Sequence, residues 1–403
     1  MAPDSRDHGS GLVLRPFPAT RYGPAVGDDI GTVTSPPYDV IDEETVGRLL
    51  ESHPYNVVRL TLPRRFAQAP SYDGVHDLLQ RWRDTDVLVD DPEPALYVYE
   101  YTVGRQTVRG LLGALALRDR ASGVVLPHED VMPGPVGDRA ELVARTRSNL
   151  EPILLVYEGD GATSDVVEQV AEADALLDTV APDGSRHTVW RVTDPATLSR
   201  VEQHLRPRRA LIADGHHRYA AYQRVQESAT DPGFGYGLAM LVDQRRYPLH
   251  LGPVHRTVSG VSLDDLVRRA PDGTTVKDFG ADAVSAHRAV AQAPSGTAAL
   301  VGTDGGRWTM VLAPRDGAEI DTHVLHERLL PAWGVDDSRV RYLHDAEHAV
   351  AEAREHGGVA LLLRPPSVDA VVAAAEQGRS LPRKSTSFGP KPRMGLLMRL
   401  LPD

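Results

Sequence analysis

The chain has 403 residues, 41% of them apolar and 25% charged, a balance typical of globular domains, and its length calls for two or three of them. A formal net charge of −12 argues against sequence-independent binding of nucleic acid, which needs a basic surface to displace counterions. With no cysteine present, disulfides, thiolate zinc sites and thiol nucleophiles are excluded. The first thirty residues hold acids, prolines and glycines without a long apolar run, and stretches such as 111–117 are too short to span a bilayer. A cytoplasmic protein without a membrane partner is expected.

Residues 1–35 read as an irregular arm with one short extended piece at 12–16. The prolines of Pro36-Pro37-Tyr38-Asp39-Val40-Ile41 keep that segment out of a helix and set the Asp39 carboxylate in a stiff turn. Asp42 then caps a helix over 43–52. A second helix spans 76–85, with Leu78, Leu79 and Trp82 on one face. Alternation over 96–102 and 107–117, around Gly104-Arg105-Gln106, predicts a β-hairpin. His128 and Glu129 fall in a loop, where a base is well placed, and a charged helix over 137–149 follows with Arg139, Arg145 and Arg147 as phosphate donors. A strand at 153–157, a helix at 164–179, a strand at 189–192 and a helix at 195–205 complete this stretch.

Next comes Asp214-Gly215-His216-His217-Arg218, between an apolar strand (209–213) and a helix (219–227). A strand that turns through glycine into a helix leaves free N–H groups and the positive end of the helix dipole at one point, which suits a phosphate. His217 and Arg218 add charge-assisted donors, and Asp214 is a metal ligand or a proton acceptor. Beyond residue 232, strands are expected at 236–242 and 249–255, a helix at 262–270, a hairpin of 298–301 with 308–312, and helices at 321–330 and 345–356. A strand at 359–363, a helix at 368–376 and a final strand at 395–400 follow. Strands interleaved with helices indicate an α/β or α+β fold, divided into an α/β domain (1–230) and an α+β domain (231–403).

Only three of the 44 basic residues are lysines, Lys277, Lys384 and Lys391, and two of these share the segment Lys384-Ser385-Thr386-Ser387-Phe388-Gly389-Pro390-Lys391. A compact ammonium differs from a guanidinium as a phosphate partner, so this segment is a second candidate site. No Walker A loop, dinucleotide fingerprint or G-x-S-x-G elbow is present. His344-Asp345-Ala346-Glu347-His348 fits an inverted zinc-protease pattern, but Asp345 reads as a helix N-cap, which leaves His344 outside the helix.

Taken together, Pro36–Ile41, His128-Glu129, Ala213–Tyr219 and Lys384-Ser385-Thr386 with Pro390-Lys391 resemble the ordered signatures of a large uncharacterised bacterial and archaeal family, a domain of unknown function. The Asp-Gly-His-His-Arg block in turn resembles the phosphate-binding motif of the ParB/sulfiredoxin-like superfamily, which includes free serine kinases. That likeness implies a ParB-like mixed α/β domain and contacts from Gly215, His216, His217 and Arg218 to the phosphates of ATP or ADP. Sulfiredoxin chemistry does not carry over without cysteine. The aromatic expected directly after Lys384-Ser385-Thr386 is displaced by one place, to Phe388.

The expected function is a nucleotide-dependent phosphotransferase acting on a small hydroxylated metabolite such as serine or a related hydroxy acid. Lys384 or Lys391 would complete the phosphate clamp, Asp39 or Glu129 with His128 would serve as base, and Asp214 would hold Mg2+ or orient a histidine. Replacing Asp214 or Arg218 by alanine should then abolish transfer and leave the fold intact. The alternative is a non-catalytic, ParB-like nucleotide-binding switch.

Overall fold

The structure is a computed structural model that describes residues 11–27, 29–65, 71–316 and 319–402. The first ten residues of the expected N-terminal arm lie outside them. The chain forms two compact units. The described parts of Met1–Pro127, Val131–Leu249 and Pro390–Asp403 make one, and His128–Asp130 with His250–Gly389 the other. The sequence reading has a single division near 230. Apart from His128–Asp130, the chain stays in the first unit through Leu249, because the strand Tyr236–Asp243 is central to that unit's sheet, and it returns at Pro390. Lys384 and Lys391 therefore belong to different units.

Among its described residues the first unit carries a nine-stranded mixed sheet. Across it run Val125–Leu126, Ala210–Asp214, Ile153–Tyr157, Tyr236–Asp243, Gln106–Ala116, Leu96–Val103, Arg186–Val192 and Leu177–Val180, and Leu14–Arg15 adds to Gln106–Ala116. Val125–Leu126 lies parallel to Ala210–Asp214, as does Ile153–Tyr157 to Tyr236–Asp243, and the remaining pairs are antiparallel. Ile153–Tyr157 and Ala210–Asp214 are buried at every position, as an unbroken apolar run requires of a strand covered on both faces. At Gly110 the neighbouring strand comes so close that a Cβ would sit 2.4 Å from the Leu241 carbonyl oxygen. The helix His216–Ser228 turns Tyr219, Ala221 and Val225 into the core with Ile153 and Ile212. A second core gathers Tyr22, Leu79, Trp82, Met394 and Met398.

Helices Glu43–Ser52 and Pro195–Leu205 form where expected, and the Asp42 side chain accepts the Thr45 N–H at 2.8 Å. The helix expected over 164–179 is shorter. It spans Ala162–Val170, and Leu177–Val180 is instead an edge strand on Arg186–Val192, where pairing with a distant strand overrides helix propensity. The final strand is Arg399–Leu400 alone, since Met394 and Met398 make only single bridges to Ser35 and Thr20.

Within its described residues the second unit is built on a six-stranded antiparallel sheet ordered Thr275–Asp278, Trp308–Pro314, Thr297–Thr303, Gly358–Leu363, His255–Ser259 and Val340–Leu343. Alternate residues feed opposite cores. Leu300, Val311 and Leu361 meet Leu266, Leu325 and Trp333, whereas Val301, Met310 and Leu362 meet Ala286, Val290, Ala349 and Ala353, so helices cover both faces of the sheet. The strand expected at 249–255 is split at Pro253. His250–Gly252 pairs with Ser387–Gly389, and His255–Ser259 enters the large sheet, since a proline cannot donate to a ladder. The strand Thr275–Asp278 and the helix Ala283–Ala291 are absent from the sequence reading, the former because three of its four residues are exposed and show no apolar run.

Candidate functional site

In the first unit the Asp214 motif sits where a bulge and a glycine act together. Ile212 opposes Leu155 while Asp214 opposes Leu154, so Ala213 is an extra residue in the strand. Such a bulge re-aims the side chain that follows it. Gly215 has φ +97°, and a Cβ there would lie 3.1 Å from the Arg218 Nε. Glycine is favoured on both counts. The helix begins at His216, and its N-cap residue, Gly215, has no side chain with which to cap it. The His217 Nε2 accepts the Met132 N–H at 3.0 Å, which puts its proton on Nδ1 and makes the ring neutral.

Around Asp214 runs a chain of charges alternating in sign. Arg64 Nη1 is 3.0 Å from Asp138 Oδ1, and Asp138 Oδ2 is 2.7 Å from Arg139 Nη2. Glu151 lies between Arg139 (3.8 Å) and Arg218 (3.7 Å). Arg218 Nη2 donates to Asp214 Oδ2, Lys391 pairs with Asp214 Oδ1, and Lys391 Nζ is 3.2 Å from Asp39 Oδ2 at the outer end. Arg218 also donates to the Pro152 carbonyl. The Tyr38 ring takes the Arg139 guanidinium at 4.8 Å and that of Arg218 at 5.8 Å, both within cation–π range. Of the other arginines expected to meet phosphate, Arg145 pairs with Asp73 (3.5 Å) and Arg147 with Asp231 (2.6 Å).

Burial by itself would raise the Asp214 carboxyl, but Lys391 and Arg218 outweigh it and hold the group well below the usual carboxylate range. Burial would likewise lower Lys391, yet Asp214 and Asp39 carry it above the ordinary lysine value. Burial raises Glu151 against the pull of Arg218 and Arg139, and its Oε2 accepts no hydrogen bond among the described residues. Burial also pushes Tyr38 up to about 12, against the pull of Arg218.

Lys391 is delivered by a tail fixed on both sides. Tyr101 donates to the Pro390 carbonyl at 2.7 Å, and Arg393 donates from Nη1 to Asp183 (2.6 Å) and from Nε to Thr34 Oγ1 (2.9 Å). The Arg393 N–H donates to Tyr99 (3.3 Å), Tyr99 to His187 Nδ1 (2.9 Å), and His187 Nε2 to Ser185 (2.7 Å).

His128, Glu129 and Lys384 lie in the second unit. Glu129 Oε1 accepts the N–H groups of Ser385 and Thr386, each at 3.0 Å, and the Thr386 hydroxyl at 2.8 Å. That hydroxyl in turn accepts from His128 Nε2 at 2.9 Å. Expected as a base pair, His128 and Glu129 instead hold the turn that follows Lys384. Phe388 is buried edge-on to His128, with ring centroids 6.1 Å apart, and so offers no face for stacking.

The metal role expected of Asp214 does not fit. Each of its oxygens already faces a cation, and among the described residues no group of three or more His, Asp or Glu side chains could hold an ion. At the zinc-like pattern, Asp345 accepts the His348 N–H at 2.7 Å as an N-cap, leaving His344 outside the helix Ala346–His356.

A family model described as "Protein of unknown function (DUF1015)" matches residues 14–333. The chain belongs to that family. No curated protein matches it. Among solved structures, a free serine kinase in complex with AMP is 15% identical, with a TM-score of 0.38 over 70% of this chain and 87% of that one. A conserved hypothetical protein from Pyrococcus furiosus is 16% identical (TM-score 0.36, 70% and 90% covered). SbnI with a C-terminal truncation, from Staphylococcus aureus, is 12% identical (TM-score 0.39, 72% and 87% covered).

Sequence reasoning missed Glu151, Asp183, His187 and Arg393 in the first unit. Glu151 alone left a usable signal, a lone acid separated only by Pro152 from the buried strand at 153–157. The others are joined by distant pairings that no local pattern records. No helix among the described residues is long and apolar enough to cross a membrane.

Proposed function

We propose that the chain is a nucleotide-dependent phosphotransferase acting on a small hydroxylated metabolite, serine or a related hydroxy acid. One observation carries the reading. Lys391 joins the buried carboxylate of Asp214 to the partly exposed carboxylate of Asp39, within a motif whose helix has glycine at its N-cap. Phosphoryl transfer is mostly positioning and charge neutralisation, with one carboxylate at the acceptor hydroxyl. The first-turn N–H groups after Gly215, with the His216 ring, would hold the phosphates of ATP or ADP. The acceptor hydroxyl would attack the terminal phosphorus as the bond to the leaving nucleotide breaks, and Asp39 would take the hydroxyl proton. Lys391 would orient Asp39, and Arg218, committed to Asp214 and Pro152, would position the motif rather than touch phosphate. No step is assigned to Mg2+, for which these residues provide no ligand set.

The test is thermal protection by ATP and ADP, followed by phosphate transfer to serine and related hydroxy acids. Asp39→Asn should lower transfer by roughly 10²–10³ with nucleotide protection retained. Undiminished transfer would refute Asp39 as the base, and absence of any nucleotide protection would refute the reading as a whole. A second reading, a non-catalytic nucleotide-binding switch, is favoured by the charge pairing itself, since Arg218 and Lys391 are already neutralised by carboxylates. Nucleotide binding without turnover on any acceptor would select it.

A further inference from the structure

Lys384 has φ +54°, a left-handed conformation that costs an L-residue with a side chain and that glycine or asparagine takes up readily. The backbone on both sides is held in place. Arg256, a fully buried guanidinium, donates to the Arg383 carbonyl (3.3 Å), the Val254 carbonyl and His326 Nε2 (3.3 Å). On the other side Glu129 accepts the N–H groups of Ser385 and Thr386, and His128 donates to the Thr386 hydroxyl. The Leu381 N–H donates to the His128 carbonyl at 2.7 Å and ties down the start of the same loop.

Groups from separate segments thus fix the backbone around Lys384, and none of these bonds involves its side chain. Among the described residues its ammonium has no ion-pair or hydrogen-bond partner. The chain otherwise uses arginine, with three lysines among 44 basic residues. A lysine therefore stands where glycine would relieve the backbone, and what glycine lacks is the ammonium. Strain of this kind persists only where its surroundings over-determine it, and it collects at functional positions.

We propose that Lys384 contacts an oxyanion, a phosphate or carboxylate group of a ligand bound by the second unit, and that His128, Glu129 and Arg256 are its positioning residues. Every group involved lies in the second unit, so the proposal does not rest on the reading of the Asp214 cluster. The test is thermal denaturation of the full chain and its Lys384→Gly and Lys384→Arg variants, with inorganic pyrophosphate as the phosphate probe and malonate as the carboxylate probe. Without ligand, Lys384→Gly should melt no lower than the wild type, and about 2 °C higher if the strain is fully relieved. Its affinity for at least one probe should fall tenfold or more, while Lys384→Arg stays closer to the wild type. A lower melting point for Lys384→Gly would make the side chain structural and overturn the proposal. Wild-type affinity in that variant, or a wild-type chain that binds neither probe, would overturn it too.

Discussion

Asp214 shows how far a single residue's role depends on its partners. Its carboxylate is buried between Arg218 and Lys391, so removing it strands two cations in a low-dielectric setting. Breaking a buried pair in this way typically costs about 3–5 kcal/mol. Asp214→Ala should therefore destabilise the first unit by about that much, read from urea denaturation. The sequence-based expectation that this substitution and Arg218→Ala spare the fold is corrected accordingly. Unchanged stability in Asp214→Ala would mean that Arg218 and Lys391 find other partners. Asp39, at the partly exposed end of the chain of charges, is the better place to separate chemistry from folding.

At the scale of elements, the strand Ala210–Asp214 and the helix His216–Ser228 meet through one residue. Gly215 at φ +97° leaves little room for a Cβ beside the Arg218 guanidinium. Gly215→Ala should cost about 2 kcal/mol or more, measured by the same denaturation, and a neutral effect would show that the turn can relax. These two elements were legible locally, from an apolar run and a glycine before a polar cluster. The bulge at Ala213 was not, because a register shift exists only relative to the partner strand Ile153–Tyr157. The edge strand Leu177–Val180 was misread as helix for the same reason.

At the scale of the whole molecule, burial holds the imidazoles of His187, His255 and His326 neutral. His187 in the first unit and His255 and His326 in the second are each lowered from 6.5 to about 4, by burial first and then by Arg393 for His187 and by Arg256 for the other two. Each has a ring nitrogen that accepts a hydrogen bond, from Tyr99, the Leu363 N–H and Arg256 respectively, and a proton there would remove the acceptor. The unfolded chain binds protons more readily than the folded one, so this stability is present above pH 6.5 and is lost as the pH falls towards 4. The urea midpoint should drop across that window, and a flat profile would contradict neutral buried imidazoles.

What could be read along the chain was local: the mixed α/β character, the caps at Asp42 and Asp345, the strand-to-helix turn at Asp214 and the rarity of lysine. Each depends on neighbours within a few residues, through propensity, capping or periodicity. The roles of the polar residues came from long-range packing. It set Glu151 between two arginines, gave both oxygens of Asp214 to cations, turned His128 and Glu129 into holders of a turn, and placed Lys384 and Lys391 in different units. Those outcomes depend on which distant charge lies within a few ångströms, and spacing along the chain does not encode that distance.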